Sequence, residues 1–460
     1  MHCKNDIRPV TVSDMAAARD RRAAIQGELL RSHGVPLVCL SMNIAGEIKL
    51  YPLVRNAFYE GVRRIRESIA PLEEHVVCEF TGCEAFFCVA MDVKALKERM
   101  TKLEENDELG RLFDIDVLNA HGEKLSRGVM RRCLICSEAA AICARSRAHT
   151  LEELKARTDN IIRSFFAKKA GAAAFDALIR EVETTPKPGL VDRNNSGAHR
   201  DMDINTFYAS ARALRPYFEE IALTSFEHAD REPCGLMELL RPIGIRAQEA
   251  MLAATGGVNT HKGLIYTLGL MCASYALCME KGIPVAYMPS VCAEIVGESA
   301  ERELENAARR SSSLTHGEAI YAASGARGVR GEAAGGMKSA VSAAKLLRYY
   351  SYMGLDGNDS QALTLIHIMA ELSDTNVLYR TGESGLSLMR SRAQALLELP
   401  ARERLNALRA LDDEFIALNL SPGGCADLLA LALFLQQCQA IPTLSDFCGQ
   451  DPCDPSLGSV

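Results

Sequence analysis

A two-domain protein, an α+β domain followed by an all-α helical bundle, is predicted by three observations. At 460 residues the chain is long enough for two domains. Its β-type runs end at Leu118. From Asp159 onward, Ala-, Leu- and Met-rich segments recur with periods near 3.6, divided by Gly and Pro clusters. The change of pattern falls in Thr150 to Arg163, a charged helical stretch without Pro or Gly, which places the domains at 1–158 and 159–460.

In the first domain an Ala- and Arg-rich helix is expected over Met15 to Arg31. Strands are expected at Pro36 to Met42, Val76 to Phe80, Ala85 to Met91 and Leu112 to Leu118. Between them, Arg55 to Ile69 spaces apolar residues for a helix that exposes Arg63, Arg64 and Arg66, and Val93 to Glu105 carries the charge mixture of a solvated helix. Glu138 to Ala144 also has a helical pattern.

Composition excludes several classes of function. With 48% hydrophobic and 24% charged residues the chain is neither disordered nor fibrous. Its 52 basic and 59 acidic side chains leave a net charge of -7, against the concentrated positive charge that phosphate backbones attract, so nucleic acid is not an expected partner. Met1-His2-Cys3-Lys4 opens no signal peptide, which predicts a cytoplasmic protein whose 16 cysteines are free thiols or metal ligands. The longest uncharged stretch, Gly263 to Met279, falls short of the roughly 20 residues of a spanning helix, so no membrane segment is expected.

Polar loops between the predicted helices carry the chemistry. Thr184 to Asp203, TTPKPGLVDRNNSGAHRDMD, is a long connection for a helical domain. Pro186 and Pro188 stop the preceding helix with Lys187 between them. Asp201 and Asp203 precede the next helix, where capping accounts for one acid but not for Lys187, His199 and the other. Thr255 to Gly263, TGGVNTHKG, places Asn259, Thr260, His261 and Lys262 at a helix start, where backbone N–H groups and a lysine favour anions; it lacks Walker A spacing. Thr315-His316-Gly317-Glu318 is followed by Gly325 to Gly336, GARGVRGEAAGG, whose Arg327 and Arg330 are suited to phosphate oxygens, the alternative being a solvated surface loop. Ser373-Asp374-Thr375-Asn376 lies at another helix end, and Ser421-Pro422-Gly423-Gly424 opens the helix bearing Asp427.

These segments resemble, in order, triphosphoribosyl-dephospho-CoA synthases, over roughly Phe165 to Phe447. The resemblance implies that ATP serves as a sugar donor: the ribose 2'-hydroxyl of dephospho-CoA displaces adenine from C1', and the triphosphate stays on the transferred ribose. An oxocarbenium-like displacement calls for a carboxylate base and a proton donor to adenine, here Glu318 and His316. Lys187, Lys262 and Arg330 would neutralise the triphosphate, with Asp201, Asp203 or Asp374 holding Mg²⁺. Arg327, His199, Asn259, Thr260, His261, Asn376, Gly423 and Gly424 complete the expected nucleotide site.

In the first domain, Gly110 to Val117 reads GRLFDIDV. On a strand Asp114 and Asp116 face one way, and Phe113, Ile115 and Val117 the other. Paired carboxylates at that spacing suit Mg²⁺, although charges on an exposed edge strand give the same pattern. RLFDIDVL, LSR at Leu125 to Arg127, RRCLICSEAAAICARSRAH from Arg131, ARDRRAAIQ and PLVCLSM resemble citrate lyase holo-acyl-carrier-protein synthase over roughly residues 13 to 150. That enzyme is the phosphoribosyl-dephospho-CoA transferase. The resemblance implies that a serine hydroxyl of the acyl carrier protein, the gamma subunit of citrate lyase, attacks the α-phosphate and expels pyrophosphate. Asp114 and Asp116 would then hold Mg²⁺, and Arg111, Arg127 or Arg132 would face the leaving charge. The D-x-D strand suggests a nucleotidyltransferase-like sheet.

Acidic carrier proteins would dock on Arg63, Arg64 and Arg66, unless these form an ordinary solvated face. Cys133, Cys136, Cys143 and His149 form C-x2-C-x6-C-x5-H, a zinc-compatible set for which idle thiols are the alternative. The synthase of malonate decarboxylase would carry the same chemistry to a different carrier. A helical scaffold that only binds nucleotides would scatter the five polar junctions.

Overall fold

The computed structural model describes residues 7–126, 128, 130–297 and 328–439. It divides into two compact units: Met1–Phe165 with Met279–Gly282 and Ile441–Val460, and Phe166–Cys278 with Ile283–Ala440. The division at Phe165 falls within one helix, α5 (Leu151–Glu183), so the charged stretch read as a linker is helix from Leu151 onward.

The first unit is built on a four-stranded antiparallel sheet of order β2-β3-β1-β4, from β1 (Leu37–Met42), β2 (Glu73–Glu79), β3 (Gly82–Cys88) and β4 (Phe113–Leu118). All four lie at or near the runs expected from β-branched and aromatic residues. The helix α1 (Val12–His33), started by a capping box between Thr11 and Asp14, covers one face. There Ile25, Leu29 and Leu30 meet Leu37, Cys39, Phe86 and Leu118. The helices α2 (Pro52–Ser68) and α3 (Val93–Glu105) lie on the other. Gly61 of α2 comes so close to the sheet that a β-carbon there would lie 3.0 Å from Phe113 and 3.1 Å from Leu40. A nucleotidyltransferase-like fold is not confirmed by this arrangement.

Two expectations are corrected here. The arginines of α2 are not an open basic patch, because neighbouring acids neutralise each one. Arg63 pairs with Glu60 and Glu67, Arg66 pairs with Glu74, and the half-buried Arg64 lies between Glu60 and Asp107 with its guanidinium 4.9 Å from the Phe165 ring. Arg64→Ala is therefore expected to cost about 1–2 kcal/mol in urea unfolding by removing the bidentate Asp107 pair and the Phe165 contact, while Arg63 keeps Glu60 paired, against less than about 0.5 kcal/mol for the exposed Arg66→Ala. Equal losses would contradict this reading. The second correction concerns the thiols. The hairpin register sets Cys78 opposite Cys83 with Cα atoms 4.1 Å apart, and the two form a disulfide, so these thiols are not free.

The described part of the second unit is helical: α6 (Ile204–Glu227), α7 (Met237–Ala254), α8 (Lys262–Lys281), α9 (Met288–Val296), α10 (Gly328–Ala334), α11 (Lys338–Tyr352), α12 (Gly357–Glu371), α13 (Thr375–Leu397), α14 (Ala401–Ala417) and α15 (Gly423–Gln439). The helix α8 is longer than its uncharged run suggested, since Lys262 and Lys281 fall inside it. By length and composition it is able to cross a membrane, but 83% of its apolar window is buried within the protein, with Leu268, Met271 and Tyr275 in the core. It is a core helix because residues 264–278 are buried all round, Tyr266 alone among them being only partly so.

Candidate active sites

In the first unit, strand alternation sends Asp114 and Asp116 to the α1 side of the sheet and Phe113, Ile115 and Val117 into the opposite core. The register puts Ser41 beside Asp114 with Glu84 beyond it in the same row, and Cys39 beside Asp116. This polar row lies beside Leu37, Cys39, Phe86 and Leu118, which pack under α1. Arg131 lies 3.2 Å from Asp114, Lys124 lies 2.6 Å from Asp116, and Arg22 pairs with Glu84. Three carboxylates facing three cations on a sheet edge can bind a magnesium polyphosphate by exchanging protein ion pairs for ligand ones. Arg111 is turned away, donating to the carbonyl of Cys133 at 2.5 Å. Arg132 is exposed. Glu84, Arg22 and Arg131 went unnoticed in the sequence, since only pairing aligns them with β4. Arg127 lies outside the described residues.

Cys133, Cys136, Cys143 and His149 gather on the segment after β4, their ligand atoms all within 4.8 Å of one another.

In the second unit the Thr184 to Asp203 loop lacks regular structure but is closely pinned. Asp192 accepts from the backbone of Lys187, Asn194 and Asn195. Asp412 accepts from the Gly189 amide at 2.8 Å and from Asn195 at 2.7 Å. Gly189 has φ of +70°, and a β-carbon would lie 2.1 Å from the Leu420 carbonyl, so only glycine fits there. The result is that Lys187 is fully buried, its ammonium held by the equally buried Glu181 of α5. That differs from an exposed phosphate clamp: the surrounding apolar helices force the lysine to keep a carboxylate partner.

Around this pair the dispersed motifs come together. Asp374 caps α13 through Asn376 and Val377, and its second oxygen accepts from the Cys425 amide at 2.9 Å, tying it to the start of α15. A β-carbon on Gly263 would lie 2.5 Å from Asp427 and 3.5 Å from Val329, while one on Gly423 would lie 2.8 Å from Asn376 and one on Gly424 3.0 Å from Asp374. His199 bonds Ser421 at 2.8 Å. Asp427 accepts no hydrogen bond among the described residues. Burial, then the nearby Glu181 and Asp374 carboxylates, push its pKa well above the usual range. Burial likewise raises Asp374, against its backbone donors, and Glu181, against Lys187. An acidic corner with one buried lysine therefore offers hard oxygen donors whose ionised form a bound Mg²⁺ would favour.

His261 stands beside this corner. Thr260 Oγ1 donates to Ser210 Oγ at 2.7 Å, and Ser210 lies 2.7 Å from His261 Nδ1, while the buried Nε2 has no partner among the described residues. Burial first, and the Lys187 charge second, lower its pKa to about 3, so the ring stays neutral. A neutral ring receiving a proton at Nδ1 carries its own on Nε2, a free donor. Arg380 likewise has no partner for Nη1 among the described residues, while Nη2 donates to the Ala198 carbonyl at 3.4 Å.

Other expected residues lie at the margin. Lys262, Asn259, Asn376 and Asp201 are exposed, and Thr260 and Arg330 are partly buried. Asp203 is an exposed helix cap whose carboxylate is occupied by Thr206 at 2.9 Å. Asp203→Ala is expected to remove about 1 kcal/mol of stability and leave adenine release within about twofold, whereas a metal ligand would cost far more activity. His316, Glu318 and Arg327 lie outside the described residues. Glu181, Asp427, Ser210 and Arg380 were not among the expected site residues. Asp427 and Arg380 fall within segments that carry the family resemblance, SPGGCADLLA and DTNVLYR, whereas Glu181 and Ser210 had no sequence signal beyond a polar group amid apolar helical neighbours.

Comparison with known proteins matches each half of the chain to a family. Residues 10–165 match the family CitX, apo-citrate lyase phosphoribosyl-dephospho-CoA transferase, and residues 167–444 match CitG, ATP:dephospho-CoA triphosphoribosyl transferase. Protein CitXG of Haemophilus influenzae is 34% identical over 92% of this chain and 96% of its own, and Protein CitXG of Leuconostoc mesenteroides 32% identical over 91% and 95%. A probable 2-(5''-triphosphoribosyl)-3'-dephosphocoenzyme-A synthase of Vibrio cholerae is 42% identical over 56% of this chain and 85% of its own. With both families in tandem over nearly its whole length, the chain belongs to the fused CitX and CitG family and is a bifunctional transferase of citrate lyase prosthetic-group synthesis.

Proposed function

We propose that the acidic corner of the helical unit is where ATP gives up its ribose. The observation that carries this reading is the meeting of five sequence-distant motifs around Lys187, His261, Asp374 and Asp427. Asp427, with Glu181 and Asp374 beside it, would hold Mg²⁺, which when bound supplies positive charge against the triphosphate. Arg380, Lys262 and Arg330 meet the remaining phosphate oxygens. His261 donates from Nε2 to an oxygen of the bound nucleotide, its neutrality secured by burial and Lys187. Glu318 takes the proton of the attacking 2'-hydroxyl. The ribose C1' to adenine bond breaks with its electron pair on the base, and His316 protonates it.

In the sheet unit, Asp114, Asp116 and Glu84 would position Mg²⁺ and the triphosphoribosyl group, with Arg131 and Arg22 facing the departing charge. A serine hydroxyl of the gamma-subunit carrier protein of citrate lyase forms the bond to the α-phosphorus, and pyrophosphate leaves. Incubation with ATP, Mg²⁺ and dephospho-CoA should release free adenine on chromatography, and apo carrier protein should then gain mass with release of pyrophosphate. ADP in place of adenine would overturn the first assignment, and an unmodified carrier the second.

A further inference from the structure

We propose that the sheet unit binds one zinc ion through Cys133, Cys136, Cys143 and His149, and that the ion holds the segment from Arg131 to His149 against β4. The three thiol sulfurs and the imidazole nitrogen converge from four positions on a stretch with little regular structure. Cys136 Sγ lies 3.4 Å from Cys143 Sγ and 3.4 Å from His149 Nε2. Tetrahedral zinc with Zn–S of about 2.3 Å and Zn–N of about 2.0 Å places neighbouring ligand atoms roughly 3.5–3.8 Å apart, so the group has the dimensions of a single ion. Soft thiolates favour zinc over the magnesium that the carboxylates suit.

Two further features fit a metal knuckle better than idle thiols. The Ile135 amide points at Cys133 Sγ from 3.4 Å, the kind of N–H to sulfur bond that orients a coordinating thiolate. Burial is also uneven: Cys133 and Cys143 are inside while Cys136 and His149 are partly exposed, so apolar packing does not explain why all four meet. Between β4 and the short helix α4 (Ala140–Ser146), regular pairing is limited to isolated bridges such as Arg132 with Ala139. Segments without enough core are commonly fixed by a metal.

The placement gives the ion a task. The Cys133 carbonyl takes the Arg111 guanidinium at 2.5 Å, and Arg131, two residues earlier, bonds the Phe113 carbonyl at 2.9 Å and lies 3.2 Å from Asp114. Zinc would thus be structural, and Cys136 and Cys143 act through Arg131 as positioning residues.

Elemental analysis of the full chain, purified without chelator, should give about one zinc per molecule. The double variant C136S/C143S should lose it, and C234S, which removes an exposed cysteine elsewhere, should keep it. The double variant should retain adenine release, which uses none of these residues. Should that variant fail to fold, cobalt exchanged into the unaltered protein tests the same site, because thiolate ligands would give it charge-transfer absorption. Less than about 0.2 zinc per chain, a Cys136 to Cys143 disulfide on peptide mapping, or full zinc in the double variant would each overturn the proposal.

Discussion

Asp427→Asn is expected to slow adenine release by about 10²–10³-fold, the loss typical of removing a preorganised charge at a reacting centre, while transfer of a supplied triphosphoribosyl intermediate to the carrier continues. The same change should leave the protein as stable or raise its stability by about 1 kcal/mol, because an amide avoids burying a charge and relieves the crowding with Glu181 and Asp374, the two effects, burial first, that raise the Asp427 pKa. A carboxylate that only filled space would behave in the opposite way, with activity kept. Chromatographic adenine assays and urea unfolding of the same preparation separate the two, and activity within about threefold of the unaltered protein would remove Asp427 from the site.

Lys187→Met should destabilise the helical unit by about 3–5 kcal/mol, because Glu181 would be left buried and unpaired. The double variant Lys187→Met with Glu181→Leu should recover most of that loss, since apolar replacement of both partners restores packing without a stranded charge. A surface phosphate clamp would show neither effect. Urea midpoints of the two single variants and the double variant complete the cycle, and simple additivity would show that the pair does not couple.

Much of this architecture was legible residue by residue. β-type runs marked β1 and β4 within a residue or two, and the mixed charges of Val93 to Glu105 matched α3 at both ends. The Asp114 and Asp116 pair emerged on one face because the strand period of two leaves no choice once a strand is named. The motifs that identify both families were equally visible.

Partnership was not. Whether Arg64 is a docking cation or a half-buried tie depends on Glu60 and Asp107, the second from another element of the fold. Lys187 looked like a phosphate ligand until burial beside Glu181 made it half of an ion pair. Glu181 and Asp427 sit 246 positions apart and read alone as stray acids in apolar helices. Periodicity and turn chemistry are short-range properties and were written into the chain locally. Desolvation and charge proximity are sums over neighbours that only folding brings near, so the acidic corner and the unpartnered His261 nitrogen came from tertiary packing alone.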